Sequence, residues 1–190
     1  MKKPAALTLA ITVITALVSI AAARQTPKEP PRMRPAATIQ EIMDTMIDPS
    51  ADNIWEAFSV TISAGGITQT SPRSDKDWAD LRKSAVNLIE GANLLLVPGR
   101  RVASPGKKSE NPGIELEPEE IEKRIERNAA DWTAATIALQ DVAAKTLAFI
   151  DKRDSEGIQD MGAVIDQACE ACHLKFWYPD ENLRAGPGRR

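Results

Sequence analysis

The chain has 190 residues, 43% of them hydrophobic and 27% charged, a balance that suits one or at most two soluble domains and excludes a polytopic membrane protein or a disordered acidic tail. Aromatic residues make up only 4%, so a core of side chains alone would be rich in small Ala and Val, with room for another group to fill it. Two Cys and one His are the whole soft-ligand inventory, which excludes a disulfide-stapled scaffold, a four-ligand Cys/His zinc site and any catalytic device needing two histidines.

Lys2 and Lys3 precede an uncharged apolar run from Ala5 to Ile20, and Ala21-Ala22-Ala23 offers the small residues of a cleavage site before charge returns at Arg24. Residues 1–23 are therefore predicted to be an export signal. The alternative is an uncleaved anchor over residues 4–23, whose 20 uncharged residues are just long enough to span a membrane; membrane contact is expected only in that case. Either way the rest of the chain is expected outside the cytoplasm, in the periplasm. Taking Lys2 and Lys3 from the 24 basic residues leaves 22 against 27 acidic, a net charge of −5, which argues against a nucleic-acid partner.

Residues 24–36 hold Pro27, Pro30, Pro31 and Pro35 and read as an extended linker. Ile39, Ile42, Met43, Met46 and Ile47 then follow one face of an amphipathic helix. Pro49 is expected to kink or break that helix, with Asp48 as N-cap of a second piece carrying Ile54, Trp55 and Phe58. A loop over roughly Ser63 to Arg73 leads to Ser74, which with Asp77 forms a capping-box pattern opening a second helix. Its buried face is predicted to be Trp78, Leu81, Ala85, Leu88, Ile89, Ala92 and Leu96.

Pro98-Gly99 ends the second helix, and Arg100, Arg101, Lys107 and Lys108 fall in a loop with Pro105 and Gly106, read as a solvated basic stretch. Glu117-Pro118-Glu119-Glu120 opens a third helix whose apolar period runs for about 30 residues, from Ile121 to Ile150. The fourth starts near Asp154 or Ser155 and carries Ile158, Met161, Ile165, Ala168, Cys169, Cys172 and Phe176 on its apolar face. No comparable stretch alternates with period two, so no strands are expected. The fold class is thus all-α, an antiparallel four-helix bundle over residues 37–178 with a polar tail over residues 179–190.

Cys169-Glu170-Ala171-Cys172-His173 fits C-x-x-C-H, the attachment pattern of c-type haem. On a helix, positions i, i+3 and i+4 share a face, so both thiols can reach one edge of a porphyrin while the imidazole turns beneath its centre to bind iron. Three other readings fit less well. A thioredoxin-like redox pair should open a helix after a strand, where the helix dipole lowers a thiol pKa. A disulfide between Cys169 and Cys172 would close a minimal loop in poor geometry. A bare metal site would lack two ligands. One covalent haem c is therefore the expected cofactor, with Cys169 and Cys172 as thioethers and His173 as proximal iron ligand.

In these residues the chain resembles the cytochrome c prime and cytochrome c-556 family, exported four-helix bundles with the haem motif near the end of the last helix. The resemblance covers about residues 37–178. It implies that the first helix faces the far side of the iron, supplying an axial Met in the low-spin cytochromes c-556 and an apolar blocker in the five-coordinate cytochromes c prime. His is excluded as that sixth group because there is only one; of the five Met, Met1 lies in the signal, Met33 in the Pro-rich linker, and Met161 shares a helix with His173. Met43 and Met46 remain, with Met43 preferred as the nearer to the centre of the Ile39 to Ile47 stripe. In cytochromes c prime the motif is usually followed by a Tyr-Arg pair, where this chain has Phe176 and Trp177. The missing Arg weakens the gas-binding function that the family would otherwise imply.

The expected function is single-electron transfer, with His/Met or His-only iron ligation and redox proteins as partners. The alternative is a five-coordinate haem that takes up nitric oxide or carbon monoxide as a small gas ligand. No array of acid, base and nucleophile surrounds the motif, so an enzyme, such as a peroxidase at an open haem, comes last. A homodimer is left open.

Overall fold

The structure, a computed structural model, describes residues 33–179. The expected signal over 1–23, most of the linker over 24–36 and all but the first residue of the tail over 179–190 lie outside them. The described residues are mostly helical, in the order α1 (Ile39–Ile42), a π-helical turn (Met43–Ile47), α2 (Asp48–Glu56), β1 (Val60–Ser63), β2 (Gly66–Gln69), α3 (Asp75–Leu95), α4 (Pro118–Arg127), α5 (Ala129–Asp151) and α6 (Ser155–Phe176).

Capping chemistry sets most helix starts. Thr38 Oγ1 accepts from the Glu41 N–H while the Glu41 carboxylate accepts from the Thr38 N–H, and Ser74 and Asp77 exchange the same pair of bonds; each box satisfies amides that a helix end leaves open. Asp154 caps α6 through the Gly157 N–H at 3.0 Å.

Pro49 does not break the first helix, and Asp48 is no cap: at φ −59° and ψ −50° it is helical. Its N–H bonds Met43 O, five residues back, so a widened turn absorbs a proline that would otherwise crowd the carbonyl four residues earlier. Thr45 Oγ1 donates to Glu41 O at 2.5 Å within that turn. The single third helix expected from the period is two helices, because Asn128 leaves helical geometry (φ −124°, ψ 41°) between α4 and α5 and turns its side-chain amide onto Arg124 O at 2.8 Å.

Strands also occur where none were expected. β1 and β2 form an antiparallel hairpin with Ile62 opposite Ile67, and every residue of both strands is exposed. Five β-branched residues, Val60, Thr61, Ile62, Ile67 and Thr68, favour the extended backbone, yet a half-buried alternation never arises.

α3 packs on α5, α5 on α6, and α2 on both α3 and α6. Side-chain bonds mark three of these pairs and, for α3 and α5, also an antiparallel sense. Arg82 meets Asp151 at 2.9 Å and Trp132 Nε1 donates to Leu95 O at 3.4 Å, at opposite ends of α3 and α5. Asn53 Nδ2 bonds Ser84 Oγ at 2.8 Å between α2 and α3, and Trp55 Nε1 bonds Gly162 O at 3.0 Å between α2 and α6. The core is richer in Ile than in the Val expected: Ile42, Ile47, Ile54, Ile121, Ile158 and Ile165 are fully buried, with Ala85, Ala92 and Ala143 between them. Phe176 closes one end of it, edge-to-face on Trp132 at 5.3 Å.

Candidate functional site

The apolar stripe of α6 is fully buried at Ile158, Met161 and Ile165 and again at Phe176, but between those points Ala168, Cys169, Cys172 and His173 are only half-buried. Helical period demands cover there and the protein provides half of it. The gap coincides with C-x-x-C-H. Both thiols are free and rest against the flank of the core.

Beside them lies a cleft of ≈ 740 Å³ of empty space, open solvent included. His173, Trp177 and Tyr178 line it from the end of α6, Gln40, Met43, Asp44 and Asp48 from the first helix, and Val102, Ala103, Lys108 to Glu110, Glu115 and Leu116 from the long loop after α3. That loop is tied in place: Glu115 accepts from Ser109 Oγ and from both nitrogens of Asn111 at 3.1 to 3.3 Å, and the Leu116 N–H donates to Trp177 O at 2.8 Å.

Met43 thus shares a cleft with His173. Met46 does not line it; its Cβ stands beside Gly91 of α3. Cys169 and Cys172 do not line it either; both are partly buried and pack against the core.

Electrostatics at the motif suit ligation rather than thiol redox chemistry. Burial, reinforced by the charges of Asp48, Asp166 and Glu170, pushes the Cys169 thiol up to about 11, and burial followed by Cys169 pushes Cys172 up to about 12. Both are protonated at neutral pH, whereas a reactive redox cysteine has its pKa lowered. Burial lowers the His173 pKa, opposed by Asp48, Glu170 and Glu115, which favours the neutral imidazole that binds metal. The rings of Tyr178 and Trp177 lie 5.9 and 6.1 Å from His173, and Tyr178 donates to Glu170 at 2.7 Å.

These residues fit a covalently attached haem: two unpaired thiols one turn apart, a neutral-leaning imidazole on the next position, and an opening in the buried face at that spot. Among the described residues no group of three or more His, Cys, Asp and Glu side chains is placed to hold a bare metal ion, and no helix is long and apolar enough to cross a membrane.

Asp48 was not legible as part of the site. Asp48 is exposed as a residue, yet partial desolvation of its carboxyl group raises its pKa, His173 lowers it, and Asp44 and Asp52 raise it again; sequence alone gave it a capping role. The basic stretch after α3 is not a free patch. Arg100 bonds backbone carbonyls, Arg101 pairs with Glu122 at 2.5 Å and Lys108 lies 3.7 Å from Glu117.

No family model matches the chain, and comparison with curated proteins and with solved structures returned no match.

Proposed function

We propose that this protein is an exported monohaem c-type cytochrome that carries single electrons in the periplasm between redox proteins. In this reading the packed α2, α3, α5 and α6 make an antiparallel four-helix bundle, an assignment supported by the opposed senses of α3 and α5. Cys169 and Cys172 are the thioether attachment points, His173 is the proximal iron ligand and Met43 the distal one. The observation that carries it is the opening in the buried stripe of α6 at C-x-x-C-H, with His173 and Met43 on the wall of one cleft.

When bound, haem supplies a one-electron iron couple whose potential depends on axial ligand, burial and hydrogen bonding. The chain's own residues do the rest. His173 offers a neutral nitrogen, held on the last turn of α6. Trp177 and Tyr178 lie beside its ring, and the loop fastened through Leu116 and Glu115 forms one wall of the cleft. Asp48 places a carboxyl group beside the imidazole, where its ionisation bears on the charge of the site.

The test is covalent attachment. Protein exported through its own signal, then denatured and extracted with acid acetone, should keep its haem colour and mass. Cys169→Ala or Cys172→Ala should weaken or abolish attachment. Loss of all haem from the wild type on extraction would end this reading.

A further inference from the structure

Arg100 stands just past the end of α3 and has no carboxylate partner among the described residues; it spends its guanidinium on backbone. Nε donates to Leu94 O at 2.7 Å and Nη1 donates to Ala37 O. Leu94 O belongs to the carbonyl end of α3, where a cation is favoured by the helix dipole. Ala37 is the residue before Thr38, the N-cap of the first helix. One planar fork therefore joins the end of one helix to the start of another, a geometry that an ammonium cannot copy with fixed angles.

The neighbouring backbone completes the joint. The N–H groups of Ile39 and Gln40 donate to Arg101 O and Val102 O at 2.9 and 3.0 Å, satisfying two amides that a helix N-terminus would leave open. Met43 follows Ile39 by one helical turn, about 6 Å along the axis. Val102, Ala103 and Gln40 also line the cleft that Met43 shares with His173. The segment that holds the helix end is thus the segment that walls the site.

We propose that Arg100 is a positioning residue that latches the first helix and so fixes Met43 over the His173 cleft. The proposal rests on the haem reading for its functional half. Its structural half, the latch, stands without it.

The test compares Arg100→Gln and Arg100→Lys with Arg101→Gln, which removes only the exposed pair to Glu122. Amide hydrogen exchange over residues 39–43 reads the latch, and the ferric spectrum and carbon monoxide association to the ferrous form read the distal face. Losing a charged hydrogen bond should speed exchange by about tenfold or more in Arg100→Gln, with more high-spin iron and faster carbon monoxide binding. Covalent haem and total helix should be unchanged. Arg100→Lys should fall between, and Arg101→Gln should match the wild type.

Faster exchange with an unaltered distal face would overturn the positioning role and leave a mere helix-end lock. Unaltered exchange would overturn the latch itself. If Arg100→Gln fails to fold, Arg100→Lys decides by the same two readouts. A wild type without covalent haem would instead remove the haem reading, and exchange alone would then decide the latch.

Discussion

Gly91 of α3 lies so close to Ile47 that a Cβ there would stand 2.8 Å from Ile47 Cγ1. Real Cβ atoms do not approach so closely, so any larger residue at that position would force Ile47 or the helix to shift. The turn that accommodates Pro49 is thereby seated against the core, and Ile47 is fully buried by it. Gly91→Ala should cost about 1 to 3 kcal/mol, the usual penalty of overpacking. Chemical denaturation would read it. A variant as stable as the wild type would mean that Ile47 moves aside freely and that the π turn is not pinned by α3.

Asp77 gives a pH test. Its carboxylate accepts from the Arg73 and Ser74 N–H groups at 2.8 and 2.9 Å, and those bonds, Arg73 first, hold its pKa below the usual value. A depressed folded pKa means that the stabilisation is present above the unfolded pKa and is lost as pH falls through the folded one. The difference in melting temperature between wild type and Asp77→Asn should be full at neutral pH and should narrow steadily below about pH 4. A difference that stays constant into acid would show that the charge of the cap contributes nothing.

The helix starts at Ser74 and Asp154 were legible because capping is local chemistry, written within four residues. The π turn ahead of Pro49 was not readable locally, since Ile47 in that turn packs beside Gly91, far away in sequence. The break at Asn128 was hidden because the apolar period passes straight through it, from Ile125 to Trp132. The hairpin was missed because its alternation, Val60-Thr61-Ile62-Ser63, spans only four residues and neither face is buried. At the candidate site, C-x-x-C-H was visible in five consecutive residues, and Met43 was preferred to Met46 from its place in a stripe. The loop wall was not readable, since it is held by Glu115 and by the bond between Leu116 and Trp177 across the chain.

Ile62 and Ile67 are 77% and 70% exposed, paired across a hairpin whose outer edges are open, in a stretch from Ala57 to Pro72 without a charged residue. Such an edge invites strand pairing with another chain at high concentration. Replacing both with Thr keeps the β-branched shape and should change folding stability by less than about 0.5 kcal/mol for each, as at other open surface sites. Self-association followed by sedimentation should fall. A large loss of stability would show instead that the two side chains are covered in the protein as it exists in solution.

Met43 and Met46 are both half-buried on the first helix, yet only Met43 lines the cleft with His173, while Met46 stands beside Gly91. Under the proposed function, Met43→Ala should lower the reduction potential, convert ferric iron to high spin and open the ferrous form to carbon monoxide, because an axial Met raises the potential and occupies the sixth position. Met46→Ala should leave the spectrum and potential as they are and lose only packing, about 2 kcal/mol at the lower end of the range for Met→Ala, given its half-burial. If instead Met46→Ala switches the haem, the roles assigned to the two residues are reversed. A wild type already high-spin and quick to bind carbon monoxide would transfer the case to the five-coordinate, gas-binding reading, with Met43 serving as a steric wall whose removal speeds gas binding without moving the spin state.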